Sequence, residues 1–128
     1  MTACRQAVTT GSAPSPSGPY SQAIVTDRLI FVSGQLGIHL EKGELADGIG
    51  EQTRRALENL VAILEACGSA ADRIVKVTVF LRDIADFGDM NRVYSEFFKG
   101  TVPPARTCVA VTGLPRNARV EIEAVACR

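Results

Sequence analysis

Three side chains in the last quarter of the chain could do chemistry. Arg106 follows Pro103 and Pro104 in "PPARTCVAV", where Cys108, Val109, Ala110 and Val111 alternate as a strand entering a core would. A guanidinium is always charged and is costly to bury without an anionic partner. Arg106 therefore either points into solvent or waits for a carboxylate, whose two oxygens its planar fork fits. Glu121 and Glu123, in "VEIEAV", lie two residues apart and so share one face of a strand. Glu121 could orient or deprotonate a water; an exposed polar face is the plainer reading of the pair. Tyr20 and Ser33 could add hydroxyls, and Gly34 would let a backbone N–H approach closely. Each also has a structural explanation: Tyr20 as core, Ser33 and Gly34 as a strand bulge, Asn91 as a polar residue on a helix face.

Other chemistries lack their motifs. There is no Walker-type loop, no Gly-x-Gly-x-x-Gly after a strand and no Gly-x-Ser-x-Gly elbow. The one histidine, His39, sits in a turn-like stretch and reads as a solvated turn residue. Cys4, Cys67, Cys108 and Cys127 form no C-x-x-C pair, so they read as reduced thiols packed as small hydrophobes and not as a zinc site.

The elements that must hold these residues follow from periodicity. "TGSAPSPSGP" (10–19) is a surface loop by composition. "SQAIVT" and "RLIFVSGQL" read as two strands turning at Thr26–Arg28, and "HLEKGELADG" as a second loop. Thr53, Ala56, Leu57, Leu60, Val61, Leu64 and Cys67 mark one face of a helix that starts near Ile49, with Gly68 as its C′ stop. In "RIVKVTVFLRD", Val75, Val77, Val79 and Leu81 define one face while Ile74 and Phe80 make the other apolar, which predicts a strand near the middle of a sheet. Asp86 is placed to cap a second helix with Phe87, Met90, Tyr94, Phe97 and Phe98 on its buried stripe, ended by the two prolines. Strands Ala105–Thr112 and Arg119–Ala126 finish the chain. Paired as a hairpin through Gly113–Ala118, they would hold Arg106 and Glu121 several residues apart. Parity puts Val109, Val111, Ile122 and Ala124 toward the helices. It puts Arg106, Cys108, Glu121, Glu123 and Val125 on the opposite face, where a neighbouring subunit could meet them. The order predicts an α+β two-layer sandwich with a mixed sheet and both helices on one face.

The bulk numbers set bounds. The 128 residues predict one domain, 1–128. Hydrophobic residues are 46% and charged residues 22%, an ordinary globular balance with core to bury. Fourteen basic residues offset fourteen acidic ones with no basic block, so no nucleic-acid partner is expected. No apolar run approaches the roughly 20 residues of a membrane span. "MTACRQAVTT" has no basic segment followed by an apolar run, so no secretion signal is read and the expected location is the cytoplasm.

Taken together, "GPYSQA" (18–23), "VSGQ" (32–35), "NRVYSEFF" (91–98), "PPARTCVAV" and "VEIEAVA" (120–126) resemble the reactive imine deaminase family, often called RidA-like proteins. The resemblance covers nearly the whole chain; "PARTCV" with "VEIEA" at this spacing is its specific part. It implies a chorismate-mutase-like fold, assembled as a homotrimeric barrel with clefts between subunits. It implies hydrolysis of 2-imino acids (2-aminoacrylate with its tautomer 2-iminopropanoate, and 2-iminobutanoate) to 2-keto acids and ammonia. By the same resemblance, Arg106 would bind the substrate carboxylate and Glu121 would hold the attacking water. The backbone of Cys108 would contact the imino nitrogen, while Tyr20, Ser33, Gly34 and Asn91 would shape the cleft. Glu123 matches no such position. Asn117 stands where members usually carry glycine, in a turn whose left-handed backbone asparagine tolerates. An imine carbon is already electrophilic, so this hydrolysis needs positioning, a water and a proton acceptor, and neither metal nor organic cofactor. Members of the family are also described as ribonucleases or translation inhibitors, and some branches as non-catalytic or chaperone-like modules.

Overall fold

A computed structural model describes residues 4–128; the first three, part of the stretch read for a secretion signal, lie outside it. Six strands form one mixed sheet: β1 (Gln6–Val8), β2 (Ala23–Val25), β3 (Leu29–Leu36), β4 (Ile74–Leu81), β5 (Ala105–Ala110) and β6 (Val120–Cys127). Helices α1 (Gly48–Ala66) and α2 (Phe87–Phe97) complete the order β1-β2-β3-α1-β4-α2-β5-β6. Across the sheet the strands run β1-β2-β3-β6-β4-β5. Only β4 and β5 pair in parallel, as the crossover through α2 requires. The two-layer α+β reading therefore holds.

Leu57, Leu60, Ile63 and Leu64 of α1, with Met90 and Tyr94 of α2, are buried against Ile30, Val77, Val79, Leu81, Val120 and Ile122 of the sheet. α1 ends as its glycine predicts. Gly68 is left-handed (φ 79°), its N–H reaches Glu65 O at 3.0 Å, and Ser69 N–H reaches Leu64 O at 2.9 Å, which is a Schellman stop. Gly37 lets α1 lie close to the end of β3: a Cβ there would stand 2.4 Å from the Gln52 backbone oxygen.

Four expectations need correction. β5 and β6 are not a hairpin, because β4 lies between them and pairs with both. Asp86 begins α2 but does not cap it with its side chain; its carboxylate is held by Arg119. Val75 is exposed while Ile74 is buried, because a register shift between Ile74 and Lys76 moves Val75 off the face of Val77, Val79 and Leu81. Cys4 is exposed, and the other three cysteines are only half-buried. The short edge strand β1 was not foreseen: three residues carry too little alternation to show.

Candidate active site

β5 is an edge strand. Its register sets Arg106 level with Val77 and Cys108 level with Val79, whose side chains are buried beneath the helices. Arg106 and Cys108 therefore lie on the helix side of the sheet, and Val109 on the open side, the reverse of the parity read from the sequence. The physical reason is that an edge strand is covered from one flank only. Its helix side stays wet enough for a guanidinium laid along α2, so alternating burial is a weak guide there. Arg106 Nη1 donates to Asn91 Oδ1 at 2.8 Å. The guanidinium carbon stands 4.6 Å from the Tyr94 ring centroid and 5.6 Å from that of Phe87. The ion pairs among the described residues use Arg54, Arg55, Arg92 and Arg119, and none includes Arg106. A cleft of about 420 Å³, lined by Asn91, Tyr94, Lys99, Pro104 and Arg106, opens beside this cation. Burial pushes the Cys108 thiol up from its ordinary value, against a smaller pull from Arg106, so it stays a neutral thiol.

Glu121 lies on the other face, level with Phe80 of β4 and Leu36 of β3. Ser33 and Gly34 do form a bulge, at the register shift between Val32 and Gln35. That bulge makes room for the acid: a Cβ on Gly34 would lie 2.5 Å from Glu121 Oε1. Ser33 Oγ donates to Ser21 O at 2.6 Å, and Tyr20, which is exposed and not core, accepts from Ser17 N–H at 3.3 Å. Ser17, Tyr20, Ser33, Gly34, Glu121 and Glu123 share a cavity of about 370 Å³. Burial, and then the like charge of Glu123, hold the Glu121 carboxyl above the usual carboxylate range.

The structure thus brings the predicted residues together as two sets. Tyr20, Ser33, Gly34 and Glu121 meet on the open face; Asn91 and Arg106, with Cys108 one turn of the pleat away, meet on the helix side. Within one chain the sets stay apart, since β4 separates β5 from β6 by about 10 Å and the two faces are opposite.

Three supporting features were missed in the sequence. Tyr94 read only as core, yet its ring is the platform under Arg106; its place three residues after Asn91 on one helix face was the available signal. Gln22 is buried, accepts from Thr10 N–H at 2.7 Å and donates to Pro14 O at 2.9 Å, which pins the loop that carries Ser17 and Tyr20. Arg119 grips Asp86 with Nε at 3.1 Å and Nη2 at 2.7 Å, tying the start of β6 to the start of α2. Nothing local in the sequence marks either of the last two.

A family model described as endoribonuclease L-PSP matches residues 10–128. The chain belongs to this family. The RidA-like resemblance carried by the motifs is the same family. A RutC family protein of Pyrococcus abyssi is 50% identical over 123 residues, covering 95% of this chain and 96% of that one. The 2-iminobutanoate/2-iminopropanoate deaminase of Mus musculus is 46% identical over 123 residues, covering 95% and 90%. A crystal structure of E. coli TdcF with bound serine superposes with a TM-score of 0.93 at 38% identity, covering 96% of this chain and 98% of that one. Among the described residues of this endoribonuclease L-PSP family member, no helix is long and apolar enough to cross a membrane.

Proposed function

We propose that this chain hydrolyses small 2-imino acids, and their enamine tautomers, to 2-keto acids and ammonia. The observation that carries the reading is Arg106: a guanidinium held by Asn91 and Tyr94, facing a cleft, with no carboxylate among the described residues paired to it. Its free edge takes the substrate carboxylate as a bidentate pair. The deaminase name of the mouse relative and the serine bound to TdcF support the class, since serine presents a carboxylate beside an α-nitrogen.

In the proposed reaction Glu121 accepts a proton from a water as that water adds to the imine carbon. The same proton returns to nitrogen. Glu121 then carries the hydroxyl proton of the resulting carbinolamine to the nitrogen, so that the carbon–nitrogen bond breaks and ammonia leaves as the carbon–oxygen double bond forms. A carboxyl held above its ordinary value is a stronger base than a free carboxylate, so it takes the proton from water more readily and holds it for delivery to nitrogen. The half-buried neutral thiol of Cys108 takes no covalent part; its backbone faces the imino nitrogen. No step calls on a metal or organic cofactor.

Two sets of residues on opposite faces cannot serve one small ligand within a chain. We therefore propose a homotrimer in which the Arg106 set of one copy meets the Glu121 set of the next, with residues 1–128 acting as one domain in the cytoplasm. Phe31 (46% exposed), Val75 (43%) and Val109 (41%) on the open face supply apolar surface for that contact.

The test couples an amino-acid oxidase or dehydratase, which makes 2-imino acids in situ, to detection of keto acid and ammonia. Acceleration by the protein is expected, and its loss in Arg106→Ala. No acceleration for any of several side chains by a correctly folded oligomer refutes the reading. Salt-dependent RNA cleavage by the purified protein that survives Arg106→Ala would favour the ribonuclease reading instead.

A further inference from the structure

A second cavity, of about 350 Å³, adjoins the Glu121 cavity. The two share the wall formed by Ser17, Tyr20, Gly34, Leu36 and Pro115. Beyond that wall the second cavity is lined by His39, Gly43 and Arg116, and by no aspartate or glutamate. It differs in sign from its neighbour, which holds Glu121 and Glu123.

Arg116 marks the far end. Its backbone is left-handed (φ 58°, ψ 21°), a conformation that glycine or asparagine adopts readily and arginine does not. Asn117, beside it, is also at φ 58°. The strained residue sends its guanidinium over the cavity, where Nη2 donates to Gly43 O at 2.7 Å. That bond joins the 115–117 turn to the 39–43 turn as a roof and leaves the rest of the donor fork unused. His39 N–H to Glu44 O and Gly43 N–H to His39 O, both at 2.8 Å, hold the second turn in shape.

We propose that this cavity receives the substrate side chain and that Arg116, with His39 as a second nitrogen, selects 2-imino acids ending in a second carboxylate. The proposal rests on the deaminase reading for where the α-carbon sits, at the shared wall next to Gly34. The apolar stem of such a side chain would lie against Leu36 and Ile38, and its terminal carboxylate would meet the unused fork.

The test is calorimetric binding of the product-like probes 2-oxoglutarate and 2-oxobutanoate, alongside the coupled imine assay with imines of glutamate and 2-aminobutanoate. Wild type is expected to hold 2-oxoglutarate about tenfold more tightly, the worth of one charge-assisted contact. Arg116→Gly, which relieves the left-handed strain and so is expected to fold, should bring the ratio to about one; Arg116→Lys, which keeps the charge without the fork, should fall between the two. Equal binding by wild type, or an unchanged ratio in Arg116→Gly, overturns the proposal. The two readings fail differently. Imine hydrolysis without the dicarboxylate preference sinks the pocket assignment alone. The preference without any imine hydrolysis sinks the deaminase reading and leaves a dicarboxylate pocket.

Discussion

The two halves of the site solve opposite electrostatic problems. On the helix side of β5, the Arg106 guanidinium is half-buried, laid on the Tyr94 ring and held at one nitrogen by Asn91. On the open face, Glu121 sits over a bulge with Glu123 close by, and burial and like charge make its ionised form costly. In the proposed reaction the first half binds the substrate carboxylate and the second exchanges the proton. Binding and chemistry are therefore separable by mutation.

The largest expected effect is on binding. Arg106→Ala removes about two charge-assisted hydrogen bonds of about 2 kcal/mol each, which corresponds to roughly a thousandfold in kcat/KM. Arg106→Lys should recover little, because an ammonium lacks the fork. Steady-state kinetics that show Lys equal to Arg would break the bidentate account.

Next comes Glu121→Gln, expected to lower kcat about a hundredfold with little change in KM. Its stability should move the other way. The folded-state pKa of Glu121 is raised, so folded protein holds this proton more tightly than unfolded protein. Stability from this group is present below the unfolded carboxylate pKa and is lost as pH rises through the raised folded value. Melting curves should thus show Glu121→Gln gaining on wild type across that window as pH increases. Glu123→Gln, which removes the like charge, should shift the acid limb of the wild-type kcat/KM profile to lower pH.

A smaller effect is expected from Gly34→Ala. The new methyl meets the far end of the Glu121 side chain, which can swing aside, so the fold should survive with kcat lowered about tenfold by a displaced base. Unchanged kcat would show that the close approach is incidental.

The smallest concerns Tyr94→Phe. The Tyr94 hydroxyl is buried without a hydrogen-bond partner, while the ring face does the work under Arg106. Phenylalanine should keep activity within about twofold and leave the melting temperature equal or higher, since an unsatisfied buried hydroxyl costs about 1–3 kcal/mol. A marked loss of activity would assign the hydroxyl a role of its own.

What the sequence determined by itself was local. Periods of 3.6 and 2 residues placed both helices and five of the six strands, because burial of one face repeats along an element. Gly68 marked a stop that its left-handed backbone bears out. The proline pair fixed where β5 begins. Residue types also named the members of the proposed site, since a fork, a carboxyl and a glycine are chemistry the chain carries wherever it folds. Tertiary structure alone decided who meets whom. β6 enters between β3 and β4 because long-range strand pairing is chosen by the whole core, so the expected hairpin was not available to local reasoning. The face of Arg106 was decided the same way: on an edge strand half-covered by α2, parity follows β4 and the helix above it, and one residue of register turns every side chain to the other side.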